Sequence, residues 1–217
     1  NDTDIITSDA DIYTTSGNVQ FDADDNCEFS TNGGKTLAKI GEQTYLTFER
    51  ALIVANASTE DVTIELAADI VLTDSITIDN VNGKNITIDG TNGEDRYTLT
   101  ITSTGNGNPS IKLHQISGNV TFQNLNIVHG GDQMLLRMGE DKYDAGTERT
   151  LGVTLENMDI TSTSTYPYCL VGTQDLGQFD INMTNVDVDW NGDDDTQSSR
   201  AFLRCGKGIN YAQTVNL

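Results

Sequence analysis

One short pattern recurs along this chain and limits what it can fold into. Val120-Thr-Phe-Gln-Asn124-Leu-Asn-Ile127 returns as Val153-Thr-Leu-Glu-Asn157-Met-Asp-Ile160 and again as Ile181-Asn-Met-Thr-Asn185-Val-Asp-Val188. Each copy alternates apolar and polar residues, reaches an asparagine, and alternates again. Ile86-Thr-Ile-Asp-Gly90 is an earlier copy with glycine at the marker, and Val215-Asn-Leu217 matches the opening of another. The markers at 90, 124, 157 and 185 stand 34, 33 and 28 residues apart, and the next would fall at position 219. Self-similarity at such a period marks a stacked-repeat architecture, in which each unit buries its apolar face only against its neighbours. This pattern speaks far more directly to fold than to function.

A second register keeps step with the first. Met134-Leu-Leu-Arg-Met-Gly139, Pro167-Tyr-Cys-Leu-Val-Gly172 and Ala201-Phe-Leu-Arg-Cys-Gly206 align without gaps, their final glycines 33 and 34 residues apart. Ile76-Thr-Ile78 and Ile111-Lys-Leu113 fit earlier in the same column. Each repeat thus reads as two strands plus a third after the marker, such as Met158-Asp-Ile160 or Val186-Asp-Val188. Period-two alternation turns one face of each strand inward and the other outward. Gly, Asn and Asp fall where the chain must bend, because they tolerate left-handed backbone angles. Helical repeats share this period, but β-branched alternation argues against them. The expectation is an all-β chain, a parallel β-helix of about five rungs over residues 37–217.

The one convincing helix spans residues 45–57. Phe48, Ala51, Leu52 and Ala55 share a face at three- and four-residue steps, and Thr44 or Thr47 is placed to cap its start. Standing just before the first rung, such a helix would cover strand edges and side chains that no earlier rung covers. Strands are expected next around 62–66 and 70–72. Residues 1–36 are polar and read as a small β appendage or a segment along the flank. Within them Asp22-Ala-Asp-Asp-Asn-Cys27 partly imitates a calcium loop, but Cys27 replaces the turn glycine and Gly33 stands where the final Glu belongs. A solvated turn is the better reading. No matching cap follows the last repeat, which points to a piece of a longer protein or an end covered by a partner.

The net charge of −21, with a pI near 4.1, disfavours nucleic acid and anionic lipid surfaces as partners. No stretch approaches the ~20 apolar residues of a membrane span. There is no initiating Met and no signal-like segment. The three cysteines cannot all pair. The ungapped alignment puts Cys169 and Cys205 inward, one rung and two residues apart. Strand geometry then separates their Cα atoms by roughly 8 Å, beyond the ~7 Å reach of a disulfide. Both read as small core residues, and Cys27 as unpartnered.

Gly41-Glu-Gln-Thr-Tyr-Leu-Thr-Phe-Glu-Arg-Ala-Leu52, Val62-Thr-Ile-Glu-Leu-Ala-Ala-Asp-Ile-Val-Leu72 and Gly83-Lys-Asn-Ile-Thr-Ile-Asp-Gly90 together resemble the opening of right-handed parallel β-helix domains of the pectate-lyase-like superfamily. The likeness is nearest to the adhesin-like domains of large secreted or surface proteins of bacteria and archaea, and covers residues 38–217. It implies that Asn124, Asn157 and Asn185 form an asparagine ladder, with side-chain amides hydrogen-bonded from rung to rung. Within that superfamily lyases, hydrolases, tailspikes and non-catalytic adhesins share the fold, so fold alone does not select an activity.

The resemblance also implies where a sugar chain would lie, along the outer face of one sheet. In the alignment that column reads Thr77, Lys112, Arg137, Leu170 and Arg204. Lys112, Arg137 and Arg204 are candidate ligands for anionic sugars. The loops leading into the column carry Asp132, Tyr166, Tyr168, Trp190 and the run Asp193, Asp194, Asp195. Tyr166, Tyr168 and Trp190 are candidates for stacking on sugar faces or anchoring a protein. Asp193, Asp194 and Asp195 are candidate metal ligands, and calcium is the cation they suit. A lyase needs a base and a cation that stabilises the developing charge, which Arg137 or Arg204 and that aspartate run would supply. Leu170 interrupts the cationic column, and no catalytic signature matches residue by residue.

Asp159, Asp187 and Asp189 face outward after the marker, as a hydrolase pair would, but acidic repeats place carboxylates there by default. His114 and His129 have no Cys or His near them at ligand spacing. Sequons at Asn56, Asn85, Asn119 and Asn182 are expected in a chain so rich in Asn and Thr. The reading is an extracellular or cell-surface, non-catalytic, adhesin-like module, with glycan or a host or cell-surface protein as ligand and no obligate cofactor. A lyase acting on acidic glycan, then a hydrolase, stands second, and a plain stalk third.

Overall fold

The computed structural model describes residues 35–79, 83–102, 109–114, 117–139, 149–166, 169–173, 177–191, 201–205 and 213–217. The turn at 22–27, Cys27 and all but the last two residues of the expected N-terminal segment lie outside them. Strands β1 (Ala38–Ile40) and β2 (Gln43–Tyr45) form a hairpin, and helix α1 (Phe48–Ala57) follows. The first turn of the solenoid comprises β3 (Val62–Leu66), β4 (Ile70–Leu72) and β5 (Ile76–Ile78). The second comprises β6 (Ile86–Asp89), a small hairpin of β7 (Thr91–Asn92) and β8 (Asp95–Arg96), then β9 (Thr98–Ile101) and β10 (Ile111–Leu113). Longer strands follow, β11 (Ser117–His129) with β12 (Leu136–Met138), then β13 (Arg149–Ser162) with β14 (Cys169–Thr173). Last come β15 (Gly177–Trp190), β16 (Ala201–Cys205) and β17 (Gln213–Asn216).

Apart from β1, β2 and the separate β7–β8 hairpin, which pair antiparallel, these strands stack in parallel into two sheets. One runs β17-β15-β13-β11-β6-β3-β1-β2, with β9 and β4 joined to it beside β11, and the other runs β16-β14-β12-β10-β5. The repeat of the sequence is the register of the sheet. Val120 pairs with Val153, Val153 with Ile181 and Ile181 with Val215. Ile64, Ile88, Phe122 and Leu155 stack along the inner face, each at most 3% exposed. Burying each such side chain contributes about 1.5–3 kcal/mol, and the columns are continuous, so the narrow core suffices.

The regular solenoid has about three turns rather than about five. In the first two turns the strands before and after the marker are separate, split by Ala67-Ala-Asp69 in one and by the β7–β8 hairpin in the other. From β11 onward the chain runs through the marker without a break. Asn124, Asn157 and Asn185 adopt left-handed φ values of 50°, 52° and 53°, which turn the strand sharply while its ladder continues. The expected third strand is therefore the second half of a bent one.

The cap is a hairpin plus a helix. Thr47 caps α1, its hydroxyl accepting from Arg50 N at 3.2 Å, and Phe48, Ala51, Leu52 and Ala55 are buried. Residue 45 belongs to β2 rather than to the helix. Gly41, at φ 58°, makes the turn that brings Tyr45 opposite Ala38, and β1 lies antiparallel on β3, closing the edge of the parallel sheet. Lys84 is buried and locks the helix down, its Nζ donating to Asn56 O at 2.8 Å and Ser58 O at 2.5 Å. A cation at the carboxyl end of a helix is favourable. Burial lowers the Lys84 pKa, and Asp79 works against that shift.

In the second sheet the register differs from the ungapped alignment by two residues at β14. Val171 pairs with Leu136 and Leu203, and Gly172 pairs with Arg137 and Arg204. A slip of two preserves the inward–outward alternation, so hydrophobic patterning cannot detect it. Packing decides instead, since Leu170 becomes fully buried. A Cβ on Gly172 would stand 3.2 Å from Cys169 Sγ and 3.5 Å from Met134 Sδ, so glycine fits there with little room to spare. Cys205 pairs with Thr173 and is exposed, not buried. Because Cys169 pairs with Ala201, the two cysteines are four residues out of register, a Cα separation of roughly 14 Å, and both are free thiols.

Candidate functional site

The outward column of the second sheet reads Thr77, Lys112, Arg137, Gly172 and Arg204. Gly172, not Leu170, interrupts it. Its three cations do not share one environment. Lys112 is half-buried, Arg137 is 5% exposed and Arg204 is exposed. Every residue of β12 and β14 is buried, so both faces of the sheet are covered there. The Cys169 thiol is pushed up to about 11 by burial, with Arg204 acting in the opposite direction. At neutral pH it is therefore a protonated, unreactive thiol.

The aromatic candidates are tied to the scaffold. Trp190 is half-buried against the core and its Nε1 donates to Ser164 O at 2.8 Å. Tyr166 is half-buried, and its backbone N–H donates to Ser164 Oγ at 3.2 Å. The Ser164 hydroxyl in turn donates to Gln133 O at 2.8 Å. Tyr168 and the run Asp193, Asp194, Asp195 lie outside the described residues. Among the described residues, no three His, Cys, Asp or Glu side chains group as a metal site.

The outward carboxylates do align. Asp159 pairs with Asp187, and Thr161 with Asp189, on neighbouring strands. All three aspartates are exposed. Arg96, carried on the β7–β8 hairpin, reaches Asp159 Oδ2 at 3.3 Å. That hairpin thus places a counter-charge over one member of the stack.

The asparagine ladder is present, and it has a head. Asn185 Nδ2 donates to Asn157 Oδ1 at 2.9 Å, Asn157 Nδ2 to Asn124 Oδ1 at 3.2 Å, and Asn124 Nδ2 to Thr91 Oγ1 at 3.0 Å and Asp89 Oδ1 at 3.4 Å. Asp89 also accepts from Thr91 N, Thr91 Oγ1 and Gln123 Nε2. Burial opposes ionisation of Asp89, but these hydrogen bonds outweigh it and leave the pKa below the usual carboxylate value. A second column, which sequence reasoning missed, begins at Asp61. Its carboxylate accepts from Asn85 N and Nδ2, and Asn85 Oδ1 accepts from Asn119 N. The signal was legible, because Asp61, Asn85 and Asn119 each directly precede a repeat.

These bonds also occupy the sequon asparagines. Asn56 bridges Thr77 O and Asp79 N, Asn119 Nδ2 donates to Thr121 Oγ1, and Asn182 Oδ1 accepts from Asn216 Nδ2.

Inside the solenoid lies a polar cluster that patterning also missed. His129 is 1% exposed, with Ser110 Oγ 3.0 Å from Nε2 and Ser162 Oγ 3.0 Å from Nδ1. Burial pulls its pKa down to about 4, with Asp132 acting in the opposite direction, so the ring is neutral at pH 7. Histidine beside serine suggests nucleophilic chemistry, but Ser110 and Ser162 are at most 1% exposed and no substrate reaches them. The cluster satisfies buried polar groups across three successive turns.

No helix among the described residues is long and apolar enough to cross a membrane. No protein-family model matches the chain, and comparisons with curated proteins and with solved structures give no match.

Proposed function

We propose that this chain is a non-catalytic β-solenoid module of an extracellular or cell-surface protein, adhesin-like, which presents a rigid acidic surface and binds glycan or protein. One observation carries the reading. The side chains that a catalytic site would draw on do not meet at one exposed place among the described residues. Arg137 is buried in the sheet, Gly172 separates it from Arg204, and the Trp190 N–H is bonded to a main-chain carbonyl. A lyase centre needs a base and cations converging within ~3 Å of one substrate atom, and the described residues bring no such set together. The stacked asparagine columns supply stiffness along the axis, which suits a module that holds a binding surface away from its anchor.

The test is a glycan-array screen of the purified chain, with and without calcium, alongside ultraviolet detection of unsaturated sugars. Binding without product is expected, weakened by Arg204→Ala. Accumulation of unsaturated product would overturn the non-catalytic reading and make Arg204 a catalytic candidate. Calcium-dependent binding would direct attention to Asp193, Asp194 and Asp195.

A further inference from the structure

One inward column runs Ile101, His129, Ser162 and Trp190 on successive turns. Its two middle members are polar and at most 1% exposed, as are Ser110 and Ser164 beside them. The Ser162 hydroxyl oxygen accepts from Ser164 N at 3.2 Å. Its own proton is left for His129 Nδ1, 3.0 Å away, and the hydroxyl makes no second donor bond among the described residues. The network therefore assigns the tautomer. Nδ1 accepts, while Nε2 carries the proton and donates it to Ser110 Oγ at 3.0 Å. From Ser162 the bonds continue into the turn at 162–166. Ser164 Oγ donates to Gln133 O at 2.8 Å and accepts from Tyr166 N at 3.2 Å. Ser164 O accepts from Trp190 Nε1 at 2.8 Å. Two serines thus join the His129 ring to Trp190.

A second proton on the ring goes to Nδ1 and turns an acceptor into a donor. Two donors then face each other, the Nδ1–H and the Ser162 hydroxyl, where no water reaches. An unmade buried hydrogen bond and a buried charge both favour opening. Asp132, in the segment after β11, is the charge that acts on the ring, and it opposes the effect of burial. The strands beside the column add no charge on the inner side. β9 carries no titratable side chain, β13 turns Asp159 outward and β15 turns Asp187 and Asp189 outward, all three exposed. Lys112 on β10 and Arg137 on β12 belong to the outward column of the other sheet.

We infer that this column is an acid-operated latch, in which a proton on His129 releases the turn at 162–166 and with it Trp190, while the β11–β13 ladder stays paired. The bonds that acid undoes are side-chain bonds around Ser162 and Ser164, whereas the ladder is held by main-chain bonds along its length. The ring has the ordinary histidine value of 6.5 when the turn is open and about 4 when it is closed. Above the higher value it is neutral in both states, and between the two the open state binds more protons. Acid therefore multiplies the open population by at most about 300-fold, complete below pH 4. That is enough to make a turn that is open about 1% of the time a mostly open one. Opening brings Tyr166 and Trp190, both bonded to Ser164 at neutral pH, out to solvent. The latch holds whether or not the chain binds glycan, and the two are measured separately.

Trp190 is the chain's single tryptophan, so its emission reports on the latch. The test follows that emission as pH falls from 6.5 to 4, beside a proton NMR titration of His129 and far-UV circular dichroism. Emission is expected to move to longer wavelength in step with ring protonation while the strand signal persists. His129→Gln, which takes up no proton, should lose the shift. Ser162→Ala, which keeps the ring but cuts its link to Ser164, should lose the shift while His129 still titrates. A shift that a folded His129→Gln retains would come from the carboxylates near Trp190 and would overturn the inference. So would emission that stays constant while His129 titrates, or a shift that comes only with loss of the strand signal. Should His129→Gln fail to fold, the parent chain decides, and separate midpoints for emission and ring protonation overturn the latch.

Discussion

The turns beside α1 and the last described turn carry the same repeat and bury it differently. In β3 and β6 the inward Ile64, Ile86 and Ile88 are fully buried. In the last turn Val215, in the column of Ile86, is 39% exposed, and Val188, in the column of Ile70 and Leu99, is 38% exposed. The alternation is equally good in both places. Inward direction makes a side chain available for burial, but a rung on either side completes it. At the α1 end the β1–β2 hairpin and the helix take the place of the missing rung.

The sharpest way to break this contrast is to truncate one inward residue in each place. Phe122→Ala should cost about 3–5 kcal/mol, and Val188→Ala less than about 1 kcal/mol, read from urea unfolding midpoints. Equal losses would mean that the last turn is packed as tightly as the middle.

Acid should act on the middle of the solenoid through His129. Its pKa is about 4 when folded against 6.5 for the free side chain, so between these values the unfolded chain binds more protons. That contribution to stability is complete above pH 6.5 and is lost as pH falls toward 4, at most about 3 kcal/mol. A His129→Gln variant should lose that slope between pH 6.5 and 4, while other acid effects persist. An unchanged slope would show that His129 does not couple folding to protons.

Asn157 donates within the ladder and accepts within it, whereas no described residue donates to Asn185 Oδ1. Asn157→Ala loses both bonds and leaves alanine at a left-handed φ, costing about 2–3 kcal/mol in thermal or urea unfolding. Asn185→Ala should cost about 1 kcal/mol less. A reversed order would place the strength of the ladder at its far edge.

The smallest expected effect tests the cap alone. Lys84→Met frees the carbonyls of Asn56 and Ser58, and should cost about 1 kcal/mol. Hydrogen exchange should quicken in α1 while β11 and β13 stay protected. Uniform quickening would mean that the cap and the turns open as one unit.

Much of the fold was legible because a solenoid repeats its constraints. The 33- and 34-residue steps state the register of β11 on β13 and of β15 on β17 outright, and the marker asparagines are the positive-φ corners. The helix was legible from its apolar face, but its start was not. Tyr45 suits a helical pattern and a strand equally, and the Gly41 turn that settles the choice depends on Ala38 lying opposite. The candidate site was less legible. Residue type alone cannot tell a ligand-binding Arg137 from one covered in a sheet, or an exposed Trp190 from one bonded to Ser164 O.

By itself, then, the sequence determined the parallel stacking, the corners and the asparagine column, because each is a local property repeated at a fixed period. Tertiary structure alone decided two things. It chose the two-residue slip at β14, which alternation permits and only the packing of Leu170 and Gly172 resolves. It also enclosed His129 between serines from different turns. Each depends on which neighbours a residue meets across turns, and period-two alternation says which way a side chain points without saying what it meets.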